Sequence, residues 1–269
     1  MTFADLHHGP HPLLLPNAWD VASALAFAEA GFPAIGTTSF GVSAAGGSPD
    51  AGRASRQATA DLAGRLRALP AYLTADIEDG YSDDPTEVAD FVASLADANL
   101  AGINIEDSTF GELISPAKHS AKVAAIKAAA PHVFVNARVE TYWLNKNATV
   151  DATLDRARAY VDAGADGIFV PGATDPVVLE RLVNAIPLPL NVLLVPGRTV
   201  RQLGDLGVRR VSTGSLPYRA AIDAAVAVAT AAREGHDAPK ATSYPEIQAR
   251  LERYEQRLQE QPGSPSQNL

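Results

Sequence analysis

Two segments of the chain carry carboxylate side chains and otherwise read like buried β-strands. The segment AYLTADIE (71–78) alternates apolar and polar residues and carries Asp76 and Glu78 among the polar ones. The segment GINIED (102–107) repeats this alternation and carries Glu106. A parallel strand that is buried on both faces usually reads as a continuous apolar run. The alternation therefore indicates that one face of each strand delivers acidic groups to a polar site.

A third segment, VFVNARVE (133–140), adds a cation to this acidic set. Asn136, Arg138 and Glu140 share one face of the predicted strand, and the apolar residues between them share the other face. If the three strands are neighbours, their polar faces point into one small volume. Burying several carboxylates with a single arginine is costly unless a further positive charge is present.

A divalent cation would supply that charge. The chain contains no cysteine, and oxygen ligands without thiolates favour Mg²⁺, with Mn²⁺ as a second candidate, over zinc. The alternative is an ion-pair network around Arg138 that holds no metal ion. The polar residues fall on one face in each of the three strands, and this favours a metal site over the ion-pair network.

Eight strand-like segments alternate with alanine-rich segments of helical periodicity and position these residues. Strict alternation of strand and helix indicates parallel strands. Eight such units in 269 residues predict an α/β protein with a closed (β/α)₈ barrel of the TIM type. The strand-like segments are HPLLLPNA (11–18), AIGTTSF (34–40), AYLTADIE (71–78), GINIED (102–107), VFVNARVE (133–140), GIFVPG (167–172), LNVLLVPG (190–197) and RRVSTG (209–214).

An open, doubly wound sheet is the alternative architecture. No G-x-G-x-x-G motif opens the first predicted helix, which argues against a dinucleotide-binding fold of that kind. In a barrel, the apolar faces of the strands would pack on the helices and the polar faces would point inward. Barrel enzymes carry their active sites at the carboxyl ends of the strands.

Capping residues mark the ends of several predicted helices. Asp20, Asp84 or Thr86, and Thr149 are the expected N-caps. Glycines expected just after a last helical turn are Gly31, Gly164 and Gly207.

The carboxyl-terminal part of the chain adds one amphipathic helix. We divide the chain into a catalytic barrel over 1–243 and a region over 244–269 that contains a helix (244–260) and a disordered tail. The helix carries an apolar stripe that needs a partner surface. The stripe consists of Tyr244, Ile247, Leu251, Tyr254 and Leu258.

The overall composition excludes several classes of protein. A net charge of −9 argues against nucleic acid as a partner, because phosphate binding needs clustered Lys and Arg. The absence of cysteine excludes disulfides and a cysteine nucleophile and fits a cytoplasmic location. We see neither a secretory signal nor an apolar run of membrane-spanning length. The tract HHGPH (7–11) could bind a metal, but a mobile amino-terminal arm is the favoured interpretation.

Five motifs, taken together and in order, resemble the isocitrate lyase/phosphoenolpyruvate mutase superfamily. The resemblance extends from about Leu13 to Gly235. It implies a Mg²⁺-dependent barrel enzyme that acts on 2-oxo acids, or on compounds that cleave to them, through an enolate of pyruvate or a related acid. The motifs are LLLPNAWDVASALAFAEAGFPAIGTTSFG (13–41), TADIEDGY (74–81), GINIEDS (102–108), NARVETY (136–142) and AGADGIFVPG (163–172).

The resemblance implies roles for individual residues. Asp76 matches the principal metal-binding aspartate, Glu78 matches a second acidic metal position, and Glu106 holds the ion directly or through water. Asp50, Glu106 and Arg138 are the expected catalytic residues, and Arg138 grips the substrate carboxylate. An arginine suits that task because its planar fork forms paired hydrogen bonds with a carboxylate.

The same resemblance places a substrate-binding turn after the second strand-like segment. There, hydroxyl and backbone N–H groups would hold the oxygens of the oxo acid. The expected substrate-binding residues are Trp19, Thr38, Ser39, Phe40, Asn136 and Arg138.

The sequence also departs from the family pattern. Isocitrate and methylisocitrate lyases carry a K-K-C-G-H loop after the fourth strand, and the mutases carry a longer gate there; the segment 108–123 is neither. Both activities are therefore disfavoured. Lys118, His119 and Lys122 in this segment could donate a proton, but an exposed helix start is the favoured interpretation. Glu78 is one methylene longer than the usual aspartate, and Ser39 replaces a usual glycine.

We therefore predict a Mg²⁺-dependent lyase that cleaves a C–C or P–C bond in a small 2-oxo acid or related carboxylic acid. Oxaloacetate decarboxylation and phosphonopyruvate hydrolysis are the reference reactions. The alternatives are a C–C ligase or aldolase that runs in the reverse direction and a barrel that binds a carboxylate with little or no turnover. By resemblance, a homodimer or homotetramer that exchanges late helices is expected.

Overall fold

The strands of the protein form one large parallel sheet and one small hairpin. The computed structural model describes residues 1–96 and 98–261. The strands are β1 (Leu13–Leu15), β2 (Asn17–Ala18), β3 (Ala34–Thr37), β4 (Tyr72–Asp76), β5 (Leu100–Glu106), β6 (Ser108–Thr109), β7 (Glu112–Leu113), β8 (Phe134–Arg138), β9 (Gly167–Phe169), β10 (Leu190–Leu193) and β11 (Arg210–Ser212).

The large sheet closes on itself through the first strand-like segment. β1 pairs with β11, and β2 pairs with β3, in parallel in both cases. The two short strands are halves of one segment that is interrupted at Pro16, whose carbonyl still accepts from Gly36 N at 2.9 Å. The strand is interrupted at Pro16 because proline has no N–H group to donate to a neighbouring strand. The predicted (β/α)₈ barrel is confirmed, and the open sheet is wrong.

Ten α-helices surround the barrel in the part of the chain that the structure describes. The predicted caps are observed: Asp20 accepts from Ser23 N, and Thr149 accepts from Ala152 N. Gly31, Gly164 and Gly207 adopt positive φ, as residues after a last turn do. The helices are α1 (Val21–Glu29), α2 (Ser39–Ala45), α3 (Arg56–Arg65), α4 (Pro85–Ala96), α5 (Pro116–Ala129), α6 (Val150–Asp162), α7 (Pro176–Ala185), α8 (Val200–Asp205), α9 (Leu216–Arg233) and α10 (Tyr244–Glu260).

The alternation in the strands separates an apolar layer from a polar barrel interior. Val135 and Ala137 of β8 belong to the main core, which the helices share. The polar residues of β4, β5 and β8 stand opposite one another, with Asp76 paired to Asn104 and Asn104 paired to Asn136. The inward direction expected for the polar residues is confirmed by this register.

The amino-terminal segment covers the lower end of the barrel. A 3₁₀ helix over Ala4–His8 places His7 in a stack on Phe134, with ring centroids 4.4 Å apart. His7 is buried and its Nδ1 lies 3.1 Å from Phe3 O. The expectation of a mobile amino-terminal arm is therefore wrong, because aromatic packing fixes this segment.

Helix α5 begins near the expected position but is more deeply buried than expected. His119 and Lys122 are both buried, and only Lys118 of the three basic residues is exposed. His119 meets the ring of Tyr160 edge-on, and Lys122 Nζ donates to Asp79 O at 2.8 Å. The interpretation of this segment as a solvated helix start is wrong for His119 and Lys122.

Helix α10 packs part of its apolar stripe on the barrel. Tyr254 is buried and donates to Arg65 O at 2.6 Å, whereas Tyr244 at the other end is 80% exposed. The tail predicted to be disordered lies outside the described residues from position 262 onward. Within the described chain, no helix combines the length and the apolar character that crossing a membrane requires.

Candidate active site

A cavity of about 320 Å³ opens at the carboxyl ends of the barrel strands. It has an acidic and polar floor, while its upper wall is largely apolar. The lining residues include Asn17, Thr38, Ser39, Phe40, Asp50, Asp76, Asn104, Arg138, Trp143, Phe169, Leu193, Leu194, Thr213, Leu216 and Arg219.

Asp76 is the carboxylate at the centre of the cavity floor. Its backbone N–H donates to Thr37 Oγ1 at 3.0 Å, and its Oδ2 accepts from Ser39 Oγ at 3.2 Å. Its second oxygen, Oδ1, is buried and has no hydrogen-bond partner among the described residues. Burial raises the pKa of the Asp76 carboxyl, against the lowering effect of nearby Arg138. A buried carboxylate oxygen without a partner is the kind of group that a cation would satisfy.

Arg138 lies among three carboxylates. Its Nε donates to Glu140 Oε1 at 2.5 Å, and its Nη1 stands 3.2 Å from Glu106 Oε2 and 3.6 Å from Asp76 Oδ2. The guanidinium also lies over the ring of Phe169, 5.5 Å from its centroid. One cation therefore faces three acids, which is the charge imbalance that the sequence predicts.

The carboxyl groups around Arg138 hold their protons more tightly than usual. Burial raises the pKa of Glu106 to about 8, although the charge of Arg138 acts in the opposite direction. Burial also raises the pKa of Glu140. For Arg138, burial lowers the pKa, but the charges of Glu140, Glu106 and Asp76 outweigh it and raise the pKa above the ordinary value. A further positive charge would favour the ionised form of all three acids.

Glu78 lies next to this centre, and its oxygens are bonded to the loop that precedes α3. Oε1 accepts from Ser55 Oγ at 2.5 Å, and Oε2 accepts from Arg53 N at 2.8 Å. Glu78 itself has a φ of 50°, and Arg53 has a φ of 61°. Asp50, on the same loop, is exposed and lines the cavity. The structure thus shows Glu78 holding the loop of Asp50, and its role as a metal ligand stays a prediction.

The predicted substrate-binding turn reaches the cavity. Thr38 caps α2 by accepting from Gly41 N at 3.4 Å, and Ser39 and Phe40 line the cavity with it. Phe40 meets Tyr218 edge-on, with ring centroids 6.1 Å apart. Trp19 also meets Tyr218 edge-on, with ring centroids 5.4 Å apart, but is outside the lining set, so its direct contact with a substrate stays a prediction.

Asn136 lies under the cavity and reaches it only through a neighbour. Its Nδ2 donates to Asn104 Oδ1 at 2.9 Å, and Asn104 is one of the lining residues. Asn104 could have been identified from the alternation in GINIED, because it lies on the same face of the strand as Glu106. Arg219 was also missed, because it belongs to an alanine-rich helix in which no pattern distinguishes it.

The site fits a magnesium ion through two carboxylates. Asp76 offers a buried oxygen that has no partner in the described part of the chain, and Asp76 and Glu106 lie 3.6 Å and 3.2 Å from Arg138 Nη1. Within residues 1–96 and 98–261, no three His, Asp or Glu side chains form a group that could hold a metal. Mg²⁺ commonly binds through one or two carboxylates, several waters and oxygens of the substrate, so the pair is a sufficient protein contribution.

Comparison with known proteins gives one family and several relatives. The phosphoenolpyruvate phosphomutase family matches residues 3–233. An uncharacterised protein of Mycobacterium tuberculosis strain H37Rv is 56% identical over 257 residues, which cover 96% of this chain and 98% of that protein.

Two relatives of named activity match more distantly. The 2-methylisocitrate lyase of Bacillus subtilis is 32% identical over 198 residues, which cover 70% of this chain and 64% of the lyase. The oxaloacetate decarboxylase of Ectopseudomonas mendocina is 34% identical over 174 residues, which cover 60% of this chain and 58% of the decarboxylase.

Solved structures share the whole barrel. A structure from Burkholderia cenocepacia J2315 is 37% identical, has a TM-score of 0.79, and is matched over 85% of this chain and 97% of its own. A phosphonopyruvate hydrolase in complex with oxalate and Mg²⁺ is 25% identical, with a TM-score of 0.83, over 96% of this chain and 97% of its own. These matches confirm the family that the sequence motifs indicated.

Proposed function

The chain belongs to the phosphoenolpyruvate phosphomutase family, and on this premise we propose that it is a Mg²⁺-dependent lyase of small 2-oxo acids or related carboxylic acids. The bond cleaved is a C–C or P–C bond next to the oxo group. The observation that carries the proposal is Asp76, which lines a cavity together with Arg138 and whose buried Oδ1 has no hydrogen-bond partner among the described residues.

In the proposed complex, the residues of the cavity hold the substrate in one orientation. Arg138 offers N–H donors to the substrate carboxylate, and Glu140 fixes the guanidinium from below through Nε. Ser39 Oγ, which donates to Asp76, keeps that carboxylate turned toward the cavity. The apolar wall of Phe169, Leu193 and Leu194 surrounds the rest of the substrate and excludes water from it. Such fixed positioning lowers the barrier by removing the need to reorganise solvent.

Asp76 and Glu106 would hold the Mg²⁺, which polarises the substrate oxo group and stabilises negative charge that develops on its oxygen. Glu106 must be deprotonated for this. Burial raises its pKa to about 8, and the positive charge of a bound Mg²⁺ would lower it. The support for this assignment is the charge imbalance around Arg138 and the presence of Mg²⁺ and oxalate in the related hydrolase structure.

Decarboxylation of oxaloacetate and hydrolysis of phosphonopyruvate are the two reactions that we rank first. They are the activities named for two of the relatives. Cleavage of 2-methylisocitrate ranks lower, because the chain has no cysteine and the segment after β5 forms the short β6–β7 hairpin. That hairpin carries Phe110, which is 66% exposed, at its tip.

The test is release of pyruvate, or of another 2-oxo acid, from a panel of four- to six-carbon oxo and hydroxy acids and from phosphonopyruvate. We expect turnover of at least one compound in Mg²⁺ and its loss in excess chelator. The variant Asp76→Asn should lose the activity, and Asp155→Asn on the exposed face of α6 should keep it. Turnover that survives both the chelator and Asp76→Asn would contradict the assignment.

We also propose that the protein is a homodimer or homotetramer. The observation that supports it is α9, which the structure describes over its whole length and in which no residue is buried. This helix nevertheless carries large apolar side chains: Leu216, Ile222, Val226 and Val228, which are between 40% and 60% exposed. An apolar face of this kind marks an interaction surface.

A further inference from the structure

A polar layer crosses the barrel interior directly beneath the cavity, and Asn104 is its central member. The register pairs Asn104 with Asp76 on one side and with Asn136 on the other. Asn104 is nearly buried and lines the cavity, so its side chain belongs both to this layer and to the site.

The hydrogen bonds of Asn104 fix which side of its amide faces a ligand. Its Oδ1 accepts from Asn136 Nδ2 at 2.9 Å and from Arg210 Nη2 at 3.1 Å. The opposite orientation would bring the amide NH₂ against the Arg210 guanidinium, which has donors only, so the bond to Arg210 permits only one orientation. Both acceptor positions of the oxygen are taken, and none of the described residues accepts a hydrogen bond from Nδ2. The amide therefore has two N–H donors left for a molecule in the cavity.

Arg210 is the residue that enforces this orientation, and its burial is otherwise unexplained. Its side chain is fully buried, Nε donates to Ser212 Oγ at 3.3 Å, and Nη1 has no partner in the described part of the chain. Within the same residues, no carboxylate lies within 4.0 Å of it. A buried cation without an acid is costly, and an apolar side chain of similar volume would serve packing better.

The charge of Arg210 suits an anionic ligand above it. Burial lowers the pKa of Arg210 to about 9, so the guanidinium remains charged near neutral pH. Its effect reaches the cavity through Asn104, whose amide it polarises by donating to the carbonyl oxygen.

We propose that Asn104 is a substrate-binding residue whose side-chain NH₂ donates to an anionic oxygen of the bound 2-oxo acid, and that Arg210 is the positioning residue that aims it. This inference rests on the proposed function, since it takes a 2-oxo acid as the ligand. In this proposal Asn104, rather than the Asn136 expected from the sequence, contacts the substrate directly. Asn136 donates to the amide oxygen of Asn104 and helps to hold its orientation.

The first test compares oxalate binding by calorimetry in saturating Mg²⁺. Asn104→Asp retains an acceptor for Arg210 and Asn136 but replaces the NH₂ by an oxygen, and we expect its affinity to fall roughly 10- to 100-fold. Asn191→Asp is the matched control, because Asn191 also lies buried inside the barrel and accepts from Ser212. It is outside the lining set and should keep the affinity of the wild type within about threefold. Equal losses in the two variants would overturn the proposal.

The second test separates positioning from a purely structural role of Arg210. We expect Arg210→Met to bind oxalate about 10-fold more weakly while its melting temperature is unchanged or higher, and Arg210→Lys to recover part of the affinity. A lower melting temperature of Arg210→Met with unchanged oxalate affinity would overturn the positioning role. Failure of the wild-type protein to bind oxalate would overturn the proposed function as well. Equal binding by wild type and Asn104→Asp would overturn this inference alone.

Discussion

At the scale of single residues, the site is defined by an excess of acid around one guanidinium. Arg138 faces Asp76, Glu106 and Glu140, and burial raises the pKa of each of these carboxyl groups. A lysine in place of Arg138 would keep the charge but lose the planar fork that pairs with a carboxylate.

We therefore expect Arg138→Lys to lower kcat/KM about 100-fold on whichever substrate the wild type turns over best. Steady-state kinetics in saturating Mg²⁺ measure this. Arg158→Lys is the matched control, because Arg158 pairs with Asp155 on the exposed face of α6. A loss that is equally large in the control would show that the effect does not come from the site.

A second residue, His119, should govern how stability depends on pH. Burial lowers its pKa from 6.5 to about 3, and the charges of Lys122 and Arg156 act in the same direction. The unfolded chain takes up this proton below pH 6.5 and the native protein does not. The free energy of unfolding therefore falls as the pH drops below 6.5, by about 3 kcal/mol at pH 4.5 from this group alone.

Urea denaturation of wild type and His119→Leu at pH 7.5 and pH 4.5 measures this contribution. We expect the loss of stability between the two pH values to shrink by about 3 kcal/mol in the variant. The exposed residue His236 offers the control variant His236→Leu, which should behave like the wild type. An unchanged loss in His119→Leu would contradict the prediction.

At the scale of elements, the side chains of Glu78 and Arg53 hold the loop before α3 to the segment that follows β4. Glu78 accepts from both Ser55 and Arg53, and Arg53 also binds Asp79 through its guanidinium. These bonds position the segment that carries Asp50 at the mouth of the cavity.

We expect Glu78→Asp to loosen this loop, because a side chain shorter by one methylene cannot keep both hydrogen bonds. Hydrogen exchange of the Arg53 amide, which donates to Glu78, should become about 10-fold faster. The amide of Ile103 in β5 should be unaffected and serves as the internal control. Unchanged exchange at Arg53 would show that the loop is held by other contacts.

The elements were largely predictable from the sequence, whereas side-chain partners were not. The alternation of eight strand-like and helical segments predicted the barrel. Parity in AYLTADIE, GINIED and VFVNARVE predicted the inward acids, because period-two alternation follows directly from strand geometry. It did not distinguish Asn136 from Asn104, since both have inward parity, whereas in the structure Asn104 lines the cavity and Asn136 donates to its amide oxygen. The burial of His119 was missed for a similar reason, because it depends on the contact between α5 and α6.

At the scale of the whole molecule, the exposed face of α9 is the main feature that the single chain does not explain. Ile222 and Val226 are one helical turn apart and are 49% and 60% exposed. We expect the wild type to show a multiple of the 28.1 kDa chain mass in light scattering, and Ile222→Glu/Val226→Glu to show the monomer mass. Arg158→Glu, exposed on α6, is the control and should keep the wild-type mass. A monomeric wild type would contradict the proposed oligomer.

A Mg²⁺ ion that binds together with a 2-oxo acid at Asp76 is the central feature of the proposed site. Calorimetric titration of oxalate into wild type and Asp76→Asn, each with Mg²⁺ and with chelator, measures this in one experiment. We predict saturable binding to the wild type in Mg²⁺ only, and at least 100-fold weaker binding to Asp76→Asn (about 2.7 kcal/mol). Oxalate binding that is equally strong in chelator and in the variant would contradict the central claim.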